Sequence, residues 1–278
     1  MLAAFSLICA NCDVQAADHK GKSPVSSVQK KEKKELTPKD EFLLVKKAAE
    51  QGIVEAQYNL GRIYSKGEIV PKDAVQSFMW LQKAANQGHA GAQFLLGIMH
   101  AKGEGTSKNA AKTFEWFQKA ANQGHADAQF FLGVMHTYGE GAPKDVPKAM
   151  EWYQKAAAQR HAEAQYNLGW MYSNGEGVTK DATKTFEWFQ KAATQQHAEA
   201  QYSLGVMYRD GEGVTKDMTK AVEWLQKAAA QQHTEALYDL GVMYRDGEGV
   251  TKDAMKAVEL FKKAASQGYA KAQLILKM

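Results

Sequence analysis

The chain has 278 residues and a formal net charge of +4, from 35 Lys and Arg against 31 Asp and Glu. This near-neutral balance argues against nucleic-acid binding, because that affinity comes from clustered cations that neutralise phosphates. Only five prolines stand beside 23 glycines, and the abundant Ala, Gln, Lys and Glu favour helices joined by glycine turns, so we predict an all-α protein.

Residues 1–16 have the pattern of a bacterial signal peptide. An apolar run from Met1 to Ala10 precedes Val14-Gln15-Ala16, a small-residue cleavage pattern, although a basic n-region is missing. We therefore predict a periplasmic or secreted protein; the alternatives are a misassigned start and an ordinary apolar tail. No other segment approaches the ~20 apolar residues of a membrane span, so no integral membrane segment is expected after signal removal.

Residues 17–40 are rich in Lys, Ser and Glu. This composition predicts a disordered linker. Its cationic centre, Lys30 to Lys34, has the alternative role of touching an anionic lipid or polymer, but a solvated linker is the favoured interpretation.

Beyond residue 40 the chain repeats every 36 residues. Six Leu-Gly pairs share this interval, with glycines at Gly61, Gly97, Gly133, Gly169, Gly205 and Gly241. Five tryptophans share it as well: Trp80, Trp116, Trp152, Trp188 and Trp224. A period of this size predicts stacked helical units that contact only their neighbours.

We divide this part into a single helix at 41–53, six repeats at 54–268 and a truncated helix at 269–278. Each repeat contains a helix A, a glycine turn and a helix B, which makes 14 helices. The last helix has an apolar end at Leu274, Ile275 and Met278 and lacks the polar cap that solenoids need. We therefore expect a monomer or a weak dimer through the C-terminal helix.

Glycine on the apolar face of helix A predicts a close helix crossing. Ala56, Leu60 and Ile63 share that face with Gly61, and a helical glycine costs roughly 1 kcal/mol relative to Ala. A neighbouring helix that crosses at close range would offset the cost. Helix B begins after an Asp or Asn that suits an N-cap, such as Asp181, and its tryptophans are interpreted as core.

Candidate chemistry is sparse, and we predict no catalytic residue, no metal site and no cofactor. His89, His125, His161, His197 and His233 recur once per repeat. One repeat separates each from the next, which is too far for a shared ion, so they are interpreted as turn elements. His100 and His136 occupy an internal aromatic position and are expected to be packed neutral imidazoles. Ser27 and Lys30 match a serine-nucleophile spacing, but no Lys-Thr-Gly partner exists in the chain.

The repeated pattern resembles the Sel1-like repeat, a relative of the tetratricopeptide repeat. One repeat shows it with Ala164, Leu168, Gly169 and Tyr172, then Gly175, Gly177, Lys180 and Asp181, then Trp188, Lys191, Ala192 and Ala193. The resemblance implies a right-handed α-solenoid of antiparallel helix pairs whose concave face binds a protein or peptide. It also implies a scaffold or adaptor role in the bacterial envelope or in host contact.

The chain departs from the pattern in two respects. His100 and His136 replace the Tyr, and Glu68-Ile69 interrupts the first glycine turn. A cysteine-rich branch of this family has been linked to penicillin binding or hydrolysis. Both cysteines here, Cys9 and Cys12, precede the repeats, which argues against that branch.

Variable positions on helix A are the predicted partner surface, because the framework positions around them stay constant. The predicted partner-binding residues are Arg62, Ile98, Val134, Trp170, Val206, Val242, Tyr138, Asn174, Arg209 and Arg245. Trp170 is the strongest candidate, since it is the one Trp off the helix B position and aromatic residues anchor interfaces. Packing of Trp170 against the next helix is an equal alternative.

We therefore predict a non-enzymatic scaffold that binds a protein or peptide partner. Two other functions remain open at this point: a cell-wall or β-lactam hydrolase like the cysteine-rich relatives, and a purely structural spacer.

Overall fold

The computed structural model describes residues 37–277, so the predicted signal peptide and nearly all of the predicted linker lie outside the described residues. Every regular element in this range is an α-helix, and the described range holds 14 of them. They are α1 Pro38–Glu50, α2 Val54–Lys66, α3 Ala74–Asn86, α4 Ala90–Lys102, α5 Ala110–Asn122, α6 Ala126–Tyr138, α7 Val146–Ala158, α8 Ala162–Asn174, α9 Ala182–Ala193, α10 Ala198–Asp210, α11 Met218–Ala230, α12 Thr234–Asp246, α13 Ala254–Ser266 and α14 Ala270–Ile275. The all-α prediction is confirmed.

Consecutive helices pack against each other from α1 to α5 and from α7 to α14. Even-numbered helices are of type A and odd-numbered helices of type B. The chain forms two compact units, one that runs up to Ala128 and includes Glu140–Ala142, and a second that contains Gln129–Gly139 and Pro143–Met278. Each unit has its own apolar core, built from Ala, Leu and aromatic residues of adjacent helix pairs.

The first helix starts three residues before the boundary at residue 41 that the sequence suggested. Thr37 and Asp40 form a capping box, in which the Thr37 hydroxyl accepts the Asp40 N–H and the Asp40 carboxylate accepts the Thr37 N–H. Such reciprocal bonds satisfy two donors that a helix start leaves open. The local cap therefore extends the helix into a segment whose composition predicts disorder.

Asp and Asn N-caps begin the later B helices, as predicted. The Asp181 carboxylate accepts the backbone N–H of Lys184 at 3.0 Å, and Asp217 does the same for Lys220 at 3.0 Å. These bonds stabilise a helix start because the first N–H groups have no partner within the helix.

The second glycine of the turn allows one repeat to pack closely on the previous one in the later repeats. Gly213, with φ of +69°, lies so close to the Ala182 carbonyl at the start of α9 that a Cβ would collide with it. Only glycine combines this left-handed backbone with this close contact. In the first turn the equivalent residue is Ile69, whose side chain is 40% exposed.

The close crossing predicted at the helix A glycines is confirmed. A Cβ built on Gly169 would lie 2.5 Å from Cδ1 of Phe189, and one built on Gly205 would lie 2.7 Å from Cγ of Leu225. Both partners are buried in helix B of the same repeat. Because the glycine lacks a side chain, a large residue of helix B fills the space beside it.

The tryptophans are less buried than predicted. Trp116 is 9% exposed, but Trp80, Trp152, Trp188 and Trp224 are only half-buried. Each indole is covered by the ammonium of the Lys three residues later, at 3.8–4.2 Å from the ring centroid. The core position belongs to the following residue, such as Phe189 after Trp188, because that residue faces the glycine.

A buried Gln in helix A connects helix B of the preceding repeat with the end of helix B of its own repeat. The Gln165 Nε2 donates to the Ala157 carbonyl at 3.1 Å, while its Oε1 accepts from Gln195 Nε2 at 2.7 Å. The same pair of bonds recurs at Gln57, Gln93 and Gln201. A buried amide with its donor and acceptor both satisfied stabilises a specific packing. In the last repeat Leu237 takes this position.

The last described helix leaves apolar side chains at the surface. Leu274 is 64% exposed and Leu276 is 38% exposed. Weak dimerisation through this end stays a prediction.

Replacing Gly169 with Ala tests the close crossing. Overpacking against Phe189 typically costs about 1–3 kcal/mol, and the better helix propensity of Ala returns roughly 1 kcal/mol. We expect a net loss of about 1 kcal/mol in the free energy of unfolding, measured by urea denaturation followed by circular dichroism. Ser173→Ala, at an exposed site on the same helix, is the control and should not destabilise the chain. Equal midpoints for the two variants would refute the crossing.

Replacing Gln196 with Gly should stabilise the protein. Gln196 has a φ of +66°, and the equivalent residue is glycine at Gly52, Gly88, Gly124 and Gly268. Left-handed backbone costs a non-glycine residue about 1–2 kcal/mol, part of which the entropy of glycine in the unfolded chain offsets. We expect a gain of about 0.5–1 kcal/mol in the same denaturation experiment. Glu187→Gly, at an exposed position inside α9, should instead lose about 1 kcal/mol; a loss in both variants would contradict the prediction.

Candidate interaction surface

The variable helix A positions do not share one environment. Ile98 is 7% exposed and Val134 is 3% exposed. The predicted partner surface must be corrected at these two residues, because apolar side chains of this size are packed into the core and present no area to a partner. The equivalent Val206 and Val242 are half-buried.

Trp170, at the same position of α8, is 45% exposed. Much of its indole is therefore not covered by the other described residues. This exposure argues against the alternative that Trp170 serves only to pack against the next helix. Asn174, one turn later, is also exposed, and its Nδ2 donates to the Trp170 carbonyl at 3.0 Å. Tyr138, at the end of α6, is 59% exposed.

Arg209 of α10 is held by two carboxylates. Its Nε and Nη2 contact Asp210 at 2.8 and 3.1 Å, and its Nη1 contacts Asp239 of α12 at 3.1 Å. The Tyr202 hydroxyl lies 3.4 Å from the same Asp239 oxygen. Hydrogen bonds to Arg209 lower the pKa of Asp210, whereas burial raises the pKa of Asp239 despite the adjacent guanidinium.

This cluster links α10 to α12, and its member Asp239 is not among the site residues predicted from the sequence. Asp239 stands where the two preceding repeats carry Asn167 and Ser203. A lone acidic residue at a variable helix position was the available signal, although it does not identify its partner. Arg245 has a simpler setting: it contacts Asp246 at 2.7 Å and remains 48% exposed.

Helices A and B differ in charge within the second unit. The A helices α8, α10 and α12 carry six acidic residues and two Arg. The B helices α7, α9, α11 and α13 carry nine Lys and four Glu. These A helices therefore carry an excess of negative charge, and the B helices carry an excess of positive charge.

The once-per-repeat histidines are N-caps of helix A, so the prediction of a turn element is confirmed. The His197 Nδ1 accepts the backbone N–H of Ala200 at 3.2 Å. The same ring stacks on Tyr166 of the preceding helix A at 4.8 Å, and its Nε2 lies 3.1 Å from the Glu163 carboxylate. One imidazole thus begins a helix and also contacts the preceding repeat.

The histidines lower the pKa of glutamates that they contact. The hydrogen bond from His197 lowers the pKa of Glu163, and the hydrogen bond from His233 lowers the pKa of Glu199. The sequence pattern contained both residue types at the repeat interval. It did not show that they meet, because His197 and Glu163 lie 34 residues apart.

His100 is a packed aromatic residue. It is 2% exposed, its ring meets Phe78 edge-on at 5.4 Å, and burial lowers its pKa. These properties agree with a neutral imidazole in the core. His136, at the equivalent position, is 6% exposed.

Arg62 differs from the later members of its series. Its guanidinium lies over the Tyr58 ring, 5.5 Å from the centroid. Together with residues of α1 and of the turn after α2 it lines a cleft in the first unit.

Within residues 37–277 no three His, Cys, Asp or Glu side chains converge as metal ligands would. The helices of the same range are all too short or too polar to span a bilayer.

Solved structures of two repeat proteins are among those that match this chain. A protective antigen present in uropathogenic Escherichia coli strains, which displays an SLR fold, matches with a TM-score of 0.82 and 36% identity over 85% of this chain. The match covers 51% of the antigen, so the chain spans about half of its length. A Sel1 repeat protein from Oxalobacter formigenes matches with a TM-score of 0.71 and 32% identity, over 81% of this chain and 92% of its own.

Comparison with curated proteins finds no match. The model of the Sel1 repeat family matches six consecutive segments: 54–89, 90–125, 126–161, 162–197, 198–233 and 234–269. These segments cover the helix pairs described above and extend over well more than half of the sequence. The chain belongs to the Sel1 repeat family.

Proposed function

We propose that this chain is a non-enzymatic scaffold that holds a segment of a partner protein on the exposed face of α8, α10 and α12. Sel1 repeat proteins are typically protein-interaction scaffolds. The observation that carries the proposal is the exposed indole of Trp170, at a position where Ile98 and Val134 are buried.

An exposed Trp on a rigid helix is suited to anchor a partner. Its ring offers a large apolar area to a partner. Because the side chain has few rotatable bonds, little conformational entropy is lost when a partner covers it. Tyr138 and Asn174 are exposed in the same unit. They provide a hydroxyl and an amide with which a partner backbone can form hydrogen bonds.

The excess of acidic residues on α8, α10 and α12 favours a cationic partner segment. Glu163, Glu199 and Glu235 are exposed and contact His197 or His233. Both arginines of these helices are paired with Asp210, Asp239 or Asp246. Opposite charge on a partner increases the rate of association and disfavours acidic competitors. The preferred ligand is therefore a segment with Lys or Arg beside an aromatic or aliphatic residue.

Replacement of Trp170 with Ala should weaken binding of a partner peptide. Peptides selected by phage display on the full chain provide the probe, and fluorescence polarisation measures their affinity. Because truncation of a central anchor typically costs about 2 kcal/mol or more, we expect Trp170→Ala to weaken binding at least about tenfold. The selected peptides should be enriched in Lys and Arg, and their affinity should fall as salt is raised.

Met255→Ala is the control. Met255 is 85% exposed on helix α13 and lies outside the proposed surface. This variant should bind as the unaltered chain does, and both variants should unfold at the same urea concentration. Selected peptides that bind Trp170→Ala with full affinity would contradict the proposed surface.

We further propose that the protein acts outside the cytoplasm, in the periplasm or after secretion. The support is the apolar run and the small-residue pattern of residues 1–16. In Escherichia coli the full chain should appear in the periplasmic fraction, with an N-terminus at Ala17 by intact mass. A variant that lacks residues 2–16 should stay in the cytoplasm. Recovery of the unprocessed full chain in the cytoplasm would contradict export.

A further inference from the structure

The first two B helices, α1 and α3, expose apolar side chains at a position where the later B helices are acidic. Leu43 of α1 and Met79 of α3 occupy one register of the 36-residue repeat and are 53% and 47% exposed. The later B helices place an exposed glutamate in that register: Glu115, Glu151, Glu187, Glu223 and Glu259. The framework of the repeat therefore accommodates a charged residue here, and packing does not require Leu43 or Met79.

Two further side chains enlarge the exposed apolar area. Leu44 is adjacent to Leu43, and Val75 lies one turn before Met79 on the same side of α3. Both are more than half exposed. We call this set the apolar patch: Leu43, Leu44, Val75 and Met79. Single exposed aliphatic residues are normal on a protein surface, but a group of them marks a contact surface.

Helices α1 and α3 lie side by side in the first unit. The Gln87 amide, just after α3, donates to the Gly52 carbonyl, just after α1, at 3.3 Å. Trp80 of α3 packs on an apolar cluster that includes Ala49 of α1. The four residues of the apolar patch therefore belong to neighbouring helices of one compact unit.

The replacement of glutamate in α3 also changes the setting of a lysine. In α5, Lys119 pairs with Glu115 at 2.7 Å. The equivalent Lys83 has Met79 in place of that glutamate, and its ammonium lies over the Trp80 ring, 3.9 Å from the centroid. Helix α3 contains no acidic residue. An exposed indole and a lysine thus accompany the aliphatic side chains.

The chain is also cationic directly before and within α1. Residues 17–36 carry six Lys and three acidic residues. Lys46 and Lys47 follow the two leucines of α1, whereas the acidic residues of this helix stand in its first turn and at its last position. Positive charge therefore lies close to the apolar patch along the sequence.

We infer that the first unit docks on the surface of an anionic phospholipid bilayer through the apolar patch. Aliphatic and indole side chains enter the boundary between headgroups and acyl chains, while lysines stay at the level of the phosphates. Stable peripheral binding needs two signals of this kind, an apolar one and a cationic one. The apolar patch supplies the first, and Lys46, Lys47, Lys83 and residues 17–36 supply the second.

Charge argues against two other occupants of the apolar patch. The chain's own residues 17–36 would bring further positive charge to Lys47 and Lys83. A second copy of the chain in a two-fold contact would bring Lys83 of both copies to one interface. A soluble protein partner usually meets hydrogen-bonding groups as well as apolar area, whereas the apolar patch consists of aliphatic side chains and Met.

Co-sedimentation of the full chain with vesicles tests the inference. Binding to vesicles of phosphatidylglycerol and phosphatidylethanolamine in equal parts should be at least about tenfold tighter than binding to phosphatidylcholine vesicles, and it should weaken as salt is raised. The double variant Leu43→Glu/Met79→Glu places the glutamate of the later repeats in α1 and α3. It should bind the anionic vesicles at least about tenfold more weakly, since it loses apolar contact and adds negative charge.

Met255→Glu/Val258→Glu is the matched control. Both residues are exposed and apolar on α13, a B helix of the second unit, so this variant adds the same charge away from the apolar patch. It should bind the anionic vesicles within about twofold of the unaltered chain. Urea denaturation verifies that the variants fold alike.

Quenching by lipids with brominated acyl chains identifies the part of the chain that enters the membrane. These lipids should quench a fraction of the tryptophan fluorescence of the bound chain. Trp80→Phe should remove the quenched fraction, and Trp224→Phe, at the equivalent position of α11, should retain it. Residues 1–16 contain no Trp, so insertion of that segment does not imitate this result.

Three results would overturn the inference. They are full vesicle binding by Leu43→Glu/Met79→Glu, equal binding to anionic and phosphatidylcholine vesicles, and no binding at millimolar lipid, which would assign the apolar patch to a protein partner. Trp170→Ala should bind vesicles as the unaltered chain does. Failure here and failure of the proposed function are therefore distinguishable.

Discussion

The close approach of helix A and helix B at a glycine is the constraint on which the rest of the structure depends. Where Gly169 faces Phe189, the missing side chain sets the distance between the two helices. On the same helix, Gln165 adds hydrogen bonds to the Ala157 carbonyl of the preceding helix B and to the Gln195 amide. The tight packing of one side of helix A on helix B leaves the opposite side exposed.

Much of the architecture could be predicted from the sequence, because the signals are local and recur at one interval. Asp181 and Asp217 mark helix starts by bonds that span three residues, and a glycine with no local reason for its place indicates a crossing. The burial of the tryptophans could not be predicted in this way. Trp188 and Phe189 are adjacent large aromatic residues, and only the position of the opposite glycine decides which one enters the core.

The candidate surface was harder to predict than the fold. Ile98, Val134 and Trp170 occupy one register, yet two are buried and one is exposed. Variation at a position shows that the framework tolerates different residues there. It does not show whether the tolerance comes from contact with solvent or from compensating changes in a neighbouring helix. Charge pairing was equally difficult to predict, since Arg209 contacts not only the adjacent Asp210 but also Asp239, which lies 30 residues away.

The A helices of the two units differ in charge on the same helical framework. In α8, α10 and α12 acidic residues outnumber basic ones, and both arginines contact neighbouring carboxylates. In the first unit Arg62 lies over the Tyr58 ring, beside a cleft that Lys66 and Glu68 also line. These differences fall on residues other than the glycine of the helix crossing, so the surface charge of a repeat can change while the crossing is kept.

The imidazole N-caps have a consequence for how neighbouring repeats depend on each other. In His161, His197 and His233 the Nδ1 atom accepts a backbone N–H. In His197 and His233 the Nε2 atom lies 3.1 Å from a glutamate of the preceding repeat. Loss of one such side chain would therefore weaken a helix start and an inter-repeat contact together, which couples the folding of adjacent repeats.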